Sequence, residues 1–344
     1  MDIQQNIPLA PYTTFGIGGP ARWFAPATTQ DDILAAVAFA RQQAVPLFVL
    51  GGGSNLLVPD QGFAGLVLHV ALRGISALQK GIFDVAAGED WDGFVRYAVE
   101  RGCAGIECLA GIPGTVGGTP VQNVGAYGQE VAETIIRVRA LDLQTGQFIQ
   151  MNSEECGFRY RHSIFNSTSR GRYIVTQVRY ELVPGGAPHI VYADLKKHFA
   201  AHKTEPTLQE VYDAVRAIRH SKGMLLVAGE VDCRSAGSFF KNPIVPSATV
   251  SAIAQTLHIQ PDAVPRYPAT EGHVKLPAAW LLEQAGFSKS FSVGRTGISS
   301  KHTLALINLG GATAADVMAL RDRIVAEVER RFGIRLEQEP VVLA

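Results

Sequence analysis

Residues 111–128 read Gly-Ile-Pro-Gly-Thr-Val-Gly-Gly-Thr-Pro-Val-Gln-Asn-Val-Gly-Ala-Tyr-Gly, a run in which six of eighteen residues are glycine and two are proline. Isoleucine and valine are spaced through the run, whereas a flexible linker is polar, so the composition indicates an ordered, buried loop. Glycine permits positive φ angles and a close approach of backbone to a ligand. Successive free N–H groups in such a loop form a concave anion site suited to a diphosphate. The alternative is a tightly packed turn between two sheets.

Two further glycine-dense loops precede this one. Residues 15–19 read Phe-Gly-Ile-Gly-Gly, and residues 51–55 read Gly-Gly-Gly-Ser-Asn. The second loop follows a predicted buried strand, as in dinucleotide-binding Rossmann folds. However, Leu56 occupies the place of the third glycine in G-x-G-x-x-G, and no helix is predicted to begin at Asn55. The three loops together favour a large phosphorylated ligand in a fold other than the Rossmann fold.

Length and composition indicate a multidomain protein. The chain has 344 residues, more than one hydrophobic core usually spans, so two or three domains are expected. Basic and acidic side chains number 31 each, which argues against a general binder of nucleic acid or anionic membranes. The four cysteines and nine histidines show no metal-ligand spacing, so no metal is expected. Without a signal-peptide pattern or a long apolar run, we expect a cytoplasmic protein.

Hydrophobic periodicity and capping residues predict both helices and strands. Thr207 and Glu210 form a capping box before one apolar face, and Gly333 is a typical stop after another. Helices are predicted at 30–44, 90–101, 207–220 and 313–332, and strands at 45–50, 66–72, 82–86, 133–143, 147–151 and 172–183. The predicted fold class is therefore α+β.

Four motifs in this order resemble the UDP-N-acetylenolpyruvoylglucosamine reductase family, flavoenzymes of bacterial peptidoglycan synthesis. They are Thr14-Phe15-Gly16, residues 51–57, residues 111–118 with 122–128, and Gly237-Ser238-Phe239-Phe240-Lys241-Asn242-Pro243. The resemblance implies an FAD-binding fold of the vanillyl-alcohol-oxidase type, with two α/β subdomains at 1–70 and 71–220, and an α+β substrate-binding domain at 221–334. It leaves open a return of residues 335–344 to the first subdomain.

The family also implies a reaction and its cofactors. NADPH reduces bound FAD and leaves, and UDP-N-acetylglucosamine enolpyruvate then occupies the same cleft and is reduced to UDP-N-acetylmuramate. A monomer is expected. The resemblance implies that the cofactor-binding residues are Gly51, Gly52, Gly53, Ser54, Asn55, Gly111, Ile112, Pro113, Gly114, Thr115, Gly117, Gly118, Gln122, Asn123, Gly125, Ala126 and Tyr127.

The family implies two catalytic residues in the C-terminal part of the sequence, a serine and a glutamate. Ser238 matches the general acid, although a serine hydroxyl protonates carbon only if neighbours stabilise the alkoxide. Glu339 matches the catalytic glutamate, but Pro340 interrupts the family's L-E-x-E-V pattern, so Glu337 remains the alternative. From the residues alone, Ser238 lies at a strand end and the two glutamates are solvated carboxylates.

The remaining implied roles concern substrate recognition. Arg161 matches a Y-R-x-S element, and its planar fork suits a carboxylate and the enolate derived from it. Tyr192 matches the substrate-binding tyrosine of a Y-x-D-L element, which places the chain in the family branch that carries this loop. Lys222 resembles a phosphate-contacting lysine and Asn242 a ligand-contacting asparagine. From the residues alone, Arg161, Tyr192 and Lys222 are ordinary surface residues.

Two other functions remain open. The first is a flavin oxidase of the same fold that uses O₂ and another substrate; the Gly51 loop contains no histidine or cysteine for covalent flavin attachment, which argues against it. The second is a nucleotide-binding protein without catalysis, against which the joint presence of Ser238, Arg161 and Glu339 argues.

Overall fold

A computed structural model describes residues 1–343. Its strands β1–β21 are, in chain order, Gln4–Pro8, Pro20–Ala27, Leu47–Leu50, Leu56–Leu57, Phe63–Val70, Ile75–Gln79, Ile82–Ala86, Cys103–Ala104, Gly125–Ala126, Gln129–Glu130, Ile135–Asp142, Gln147–Asn152, Tyr173–Glu181, Val183–Pro184, Ile244–Pro246, Tyr267–Pro268, His273–Lys275, Ser292–Val293, Thr296–Ile298, Leu306–Asn308 and Val341–Val342. Its helices α1–α7 are Gln30–Gln42, Trp91–Glu100, Ala193–Phe199, Leu208–Ser221, Thr249–Leu257, Ala278–Gln284 and Ala314–Phe332. Short 3₁₀ helices include Glu107–Leu109 and Val116–Gly118.

Contacts between residues divide the chain into two compact units. Unit 1 contains residues 1–7, 21–53 and 63–225, and unit 2 contains residues 8–20, 54–62 and 226 onward. The two short segments of unit 2 therefore come from the N-terminal part of the chain. The predicted division into two FAD-binding subdomains and a substrate-binding domain stays a prediction.

The first sheet of unit 1 has the strand order β1-β2-β5-β3. Strands β2 and β3 both pair with β5 in parallel, so β5 is central, and its residues Leu66, Val67 and Leu68 are fully buried. A parallel sheet is covered on its faces, which explains the continuous apolar run. Helix α1 packs beside β5 through one apolar face formed by Ile33, Ala36, Val37 and Ala40.

The second sheet of unit 1 is antiparallel, with the order β12-β11-β13-β7-β6. Val138, Val178 and Val85 stand opposite one another on β11, β13 and β7, and all three are fully buried. Cross-strand apolar pairs of this kind fix the register of a sheet. The predicted strands of this region are confirmed to within two residues at each end, and the hairpin at residues 145–146 joins β11 to β12.

Unit 2 packs α5, α6 and α7 around the small sheets β15-β17-β16 and β18-β19-β20. Helix α7 turns one apolar face inward, with Val317, Leu320, Ile324 and Val328 at most 2% exposed, as predicted. Asp60, from the segment 54–62, accepts hydrogen bonds from the N–H groups of Ala314 and Ala315 at 2.7 and 3.0 Å. This carboxylate satisfies two unpaired donors at the helix start and ties that segment to α7.

The predicted capping signals are confirmed. Thr207 and Glu210 form the capping box of α4, and Gly333 ends α7 with a φ of +67°. Helix α1 ends at Gln42, earlier than predicted, because Ala44 adopts a φ of +51°. Helices α3, α5 and α6 were not predicted. They are 7, 9 and 7 residues long, and α5 ends at a left-handed His258 instead of a glycine, so the usual stop signal is missing.

Candidate active site

Two of the glycine loops meet in unit 1. Strand β3 ends at Leu50, and the loop that follows lies against Gly114 and Thr115. A Cβ atom placed on Gly52 would stand 2.6 Å from the Cα of Gly114, closer than real atoms approach. Position 52 requires glycine because the backbones of residues 52 and 114 are in direct contact. This contact brings the two predicted cofactor loops, 51–55 and 111–118, together.

Hydrogen bonds with residues 87–92 hold the loop 111–117 in place. The Trp91 N–H donates to the Gly114 carbonyl at 3.1 Å, and the Gly117 N–H donates to the Ala87 carbonyl at 2.8 Å. The Asp92 carboxylate accepts from the Gly111 N–H at 2.6 Å. The start of α2 therefore fixes residues 111–117, and the loop is ordered as its apolar residues predict.

The donors of these loops fit the diphosphate of FAD. Within residues 1–343, the N–H groups of Gly52, Gly53 and Gly114 donate no hydrogen bond to protein. A Cβ placed on Gly118 would meet no atom within 4 Å, so open space lies beside this residue. Free backbone N–H groups are the usual means by which a glycine loop binds a phosphorylated group.

The predicted cofactor residues 122–127 have a mixed environment. Asn123 is 1% exposed, and its side-chain amide donates to Glu130 and to the Arg159 carbonyl while it accepts from the Ala132 N–H. Both N–H donors of this amide and one acceptor position of its oxygen are thus used within the protein. Tyr127 follows with a φ of +50°, and burial raises the pKa of its phenol, which stays protonated at neutral pH.

Tyr127 lies beside two residues predicted to bind substrate. Its ring meets the ring of Tyr192 edge to face with centroids 5.3 Å apart, and the Lys222 ammonium lies 5.9 Å from its centroid. Tyr192 is the N-cap residue of α3, and Lys222 is the C-cap residue of α4. The Lys222 ammonium donates to the Asp194 carboxylate at 2.5 Å, which joins the two helices. The structure therefore brings together one predicted cofactor residue and two predicted substrate residues.

Arg161 occupies the tip of a tight turn in unit 1. Arg159 and His162 exchange two backbone hydrogen bonds of 3.0 Å, and Arg161 between them has a φ of +54°. Its guanidinium donates to the carbonyl of Gly125 at 2.7 Å. A positive φ on a long side chain is uncommon and costs free energy. The turn thereby directs Arg161 to the loop 122–127.

Ser238 and Glu339 belong to adjoining segments of unit 2. The Glu339 N–H donates to the Phe239 carbonyl at 2.9 Å, and Phe240 forms a bridge with Gln338. Phe239 and Phe240 are buried, so this segment is anchored in the core while Ser238 is half-buried. The two residues therefore lie on paired segments.

Glu337 has a different environment from Glu339. Its carboxylate pairs with the Lys241 ammonium at 3.3 Å, and its side chain is 75% exposed. Pro340 fits between Glu339 and Val341 because the ladder uses the N–H groups of those two residues, which donate to Phe239 and Asn55. A proline lacks only an N–H, and at this position none is needed.

The other predicted ligand residues of unit 2 take part in local hydrogen bonds. The Asn55 amide donates to the Glu339 carbonyl at 3.4 Å, and Ser54 precedes it at the start of the segment 54–62. The Asn242 side-chain oxygen accepts from the Ala278 N–H at 2.9 Å, at the start of α6. Asn55 therefore joins the segment 54–62 to Glu339, and Asn242 joins the Gly237–Pro243 motif to the start of α6.

Sequence reasoning missed the residues that support these loops. Asp92, Asp194 and Arg219 all bond directly to predicted site residues or their neighbours. The signal for Arg219 was available: it follows Val211 and Val215 at intervals of four residues, on the predicted apolar face of α4. A charged residue at a core-facing position indicates a specific buried partner.

Glycine loops with free donors in unit 1, and a serine and a glutamate on paired segments of unit 2, fit the class of FAD-dependent oxidoreductases. Residues 21–152 match the family profile described as FAD binding domain, and residues 229–343 match the profile described as UDP-N-acetylenolpyruvoylglucosamine reductase, C-terminal domain. The chain belongs to the UDP-N-acetylenolpyruvoylglucosamine reductase family.

Similar proteins extend over the full length. A UDP-N-acetylenolpyruvoylglucosamine reductase of Thermobifida fusca is 44% identical over 98% of this chain and 97% of its own. One from Streptomyces coelicolor is 44% identical over 98% of this chain and 89% of its own. The crystal structure of such a reductase from Thermus caldophilus aligns over 100% of both chains with 29% identity and a TM-score of 0.68. The predicted fold class, FAD cofactor and family resemblance are thereby confirmed.

Membrane-spanning helices and clusters of metal-ligating side chains are two other features that residues 1–343 lack. Among residues 1–343, no helix has both the length and the apolar character that crossing a membrane requires. The same residues contain no group of three or more His, Cys, Asp and Glu side chains arranged to hold a metal ion.

Proposed function

We propose that this chain reduces UDP-N-acetylglucosamine enolpyruvate to UDP-N-acetylmuramate, with NADPH as the reductant. The observation that carries the proposal is the match along the whole chain to relatives named for this reductase. We further propose that NADPH and the substrate use one binding site in turn, and that the chain acts as a monomer in the cytoplasm.

Bound FAD supplies the hydride chemistry of this reaction, and the protein supplies placement and electrostatics. In the proposal the N–H groups of Gly52, Gly53 and Gly114 bind the diphosphate of FAD. Gly118 leaves space for the cofactor, and residues 122–127 contact it through backbone and through Tyr127. The free donors and the open space described above support this assignment.

Ser238 is the proposed proton donor to the carbon next to the substrate carboxylate. Its hydroxyl forms no hydrogen bond with another part of the described chain 1–343, and the buried Phe239 fixes the backbone that carries it. A serine hydroxyl is too weak an acid to dissociate in advance. The proton must therefore transfer as negative charge develops on carbon, and a fixed position of the hydroxyl favours that transfer.

Arg161 and Glu339 are the proposed electrostatic partners of the substrate carboxylate. The guanidinium binds it through two parallel hydrogen bonds and stabilises the enolate that forms when the vinyl carbon accepts hydride. We assign the glutamate role to Glu339 because its backbone pairs with Phe239, next to Ser238, whereas Glu337 is an exposed partner of Lys241. Glu339 would assist as a hydrogen-bonding group on the carboxylate.

The substrate's diphosphate and sugar are assigned to Lys222, Tyr192 and Asn242. Lys222 is held by Asp194 at 2.5 Å, so its ammonium is already ordered near Tyr127 and Tyr192. An ordered cation loses little side-chain entropy when a phosphate binds. The NH₂ group of the Asn242 side-chain amide remains available to a ligand because only its oxygen is used at α6.

The Ser238→Ala variant tests the proposed role directly. Flavin reduction by NADPH should stay within about twofold of wild type, while flavin reoxidation by the substrate should slow about 10²- to 10⁴-fold, as loss of a general acid does. Ser247→Ala is the control, since Ser247 is an exposed serine of the same unit. Equal slowing of both half-reactions would contradict the assignment and make Ser238 a structural residue.

A further inference from the structure

Arg219 is a buried cation beside the loop 111–118. Its side chain is part of α4, and the residue is only 8% exposed. The guanidinium donates to the carbonyl of Gly111 at 3.0 Å and to that of Met224 at 2.6 Å. The Tyr127 hydroxyl is a nearby polar group that favours the charged form of the guanidinium and so opposes the fall in its pKa. All of these partners are neutral.

The nearby carboxylate is already used by other groups. Asp92 accepts from Arg216, from the Tyr212 hydroxyl at 3.3 Å, and from the Gly111 N–H at 2.6 Å. Within residues 1–343, no carboxylate forms an ion pair with Arg219. Arg216, Asp92 and Arg219 therefore form a cluster with one positive charge in excess.

An excess positive charge at this depth is costly. Transfer of an ion out of water costs several kcal/mol unless a counter-charge compensates it. The C-terminal end of α4 offers partial negative charge, and Arg219 lies in its last turn, but this dipole supplies only about half an elementary charge. Burial accordingly lowers the pKa of Arg219. The cluster still lacks a full anion.

We infer that an anionic part of the bound flavin cofactor completes the charge of Arg219. This inference rests on the binding of FAD at loop 111–118, the loop whose Gly111 carbonyl Arg219 holds. Two parts of the cofactor carry negative charge. One is the diphosphate, present in both redox states, and the other is the isoalloxazine ring after reduction, when it has lost a proton.

Arg219→Gln and Arg219→Lys separate charge from shape. Glutamine removes the charge and keeps a polar group, whereas lysine keeps the charge and loses the planar fork. Arg96→Gln is the control, because Arg96 is a 63% exposed arginine of the same unit. FAD affinity of each apoprotein is measured by quenching of flavin fluorescence, riboflavin affinity is measured alongside, and the midpoint potential of each loaded protein follows from dye-linked titration.

Arg219→Gln should show one of two defects, each of about ten- to a hundredfold in the affected equilibrium. If the diphosphate is the anion, FAD binds more weakly while riboflavin binding is unchanged. If the reduced ring is the anion, binding of oxidised FAD is unchanged and the midpoint potential falls. In either case Arg219→Lys should retain most of the wild-type value, and Arg96→Gln should match wild type.

Two results would overturn the inference. One is an Arg219→Gln protein that matches Arg96→Gln in FAD affinity and in potential. The other is an Arg219→Lys protein that loses as much as Arg219→Gln, since the role would then be structural. If Arg219→Gln does not fold, Arg219→Lys decides alone by the same criterion. Failure of the proposed function would look different: the wild-type protein would bind FAD normally but would not reduce the enolpyruvyl substrate.

Discussion

Gly52→Ala is expected to separate the two glycine loops that we propose to bind FAD. A Cβ at this position would lie 2.6 Å from the Cα and 2.9 Å from the carbonyl carbon of Gly114. Both atoms belong to backbone, so no side-chain rotation can relieve the contact. The loops must move apart, which displaces the free N–H groups of Gly52, Gly53 and Gly114 that we propose to bind the diphosphate.

The expected size of the effect combines two opposing contributions. Overpacking of this kind destabilises by about 1–3 kcal/mol. Gly52 has no positive φ, so alanine is allowed there and by itself stabilises by about 0.4–1 kcal/mol through the unfolded chain. We therefore expect a net loss of about 1–2 kcal/mol in the free energy of unfolding, or a fall in Tm of roughly 2–8 °C. FAD affinity should fall about tenfold or more.

Calorimetry of the apoprotein and FAD titration by fluorescence quenching measure the two effects. Gly118→Ala is the matched control, because a Cβ on Gly118 meets no atom within 4 Å. The Tm of its apoprotein should equal or slightly exceed that of wild type, because only the unfolded-chain effect of alanine acts there. If Gly52→Ala changed neither Tm nor FAD affinity, the close packing of the two loops would not be what shapes the cofactor site.

Three further predictions concern other residues. Glu339→Gln should slow substrate reduction at least about tenfold while Glu337→Gln stays near wild type in the same turnover assay; a defect confined to Glu337→Gln would reverse our assignment. Two hydrogen bonds from Arg172 hold the pKa of the Asp142 carboxyl below its ordinary value. The ion pair therefore contributes to the free energy of unfolding in full above pH about 4, and this contribution is lost as the pH falls through the lowered pKa. Asp142→Asn should lower Tm at pH 7 and flatten its acid dependence; parallel wild-type and variant profiles would contradict this. Burial raises the pKa of the Cys156 thiol to about 12. This thiol should therefore resist a thiol reagent in the native protein and react after denaturation. Rapid labelling of Cys156 in the native protein would contradict its burial.

Local signals in the sequence were enough for the long elements. An apolar face and the stop signal Gly333 predict helix α7, and the structure buries that face and ends the helix at a left-handed Gly333. Helix α4 followed in the same way from the capping box of Thr207 and Glu210. These features depend on neighbours within a few residues, so the sequence alone determines them.

Long-range contacts could not be predicted in this way. Segments 8–20 and 54–62 join unit 2 through contacts such as Asp60 with the start of α7, more than 250 residues away. No local pattern encodes such a pairing. Likewise, the steric need for glycine at position 52 depends on Gly114, and the role of Asp92 depends on Gly111.

The proposed catalytic residues follow from the family resemblance and not from local chemistry. Ser238 carries no local sign of acidity, and two glutamates near Pro340 are indistinguishable from sequence. The structure adds the pairing of Glu339 with Phe239 and the ion pair of Glu337 with Lys241, which supply a physical reason for preferring one glutamate.

Anaerobic stopped-flow absorbance tests the central claim most directly. The FAD-loaded protein is mixed first with NADPH and then with UDP-N-acetylglucosamine enolpyruvate, while the visible flavin band is followed. We predict that NADPH bleaches the band and that the enolpyruvyl substrate restores it, which would establish both half-reactions in the absence of O₂. Bleaching without recovery on addition of that substrate would contradict the proposed function and favour a flavin oxidase or a reductase of another substrate.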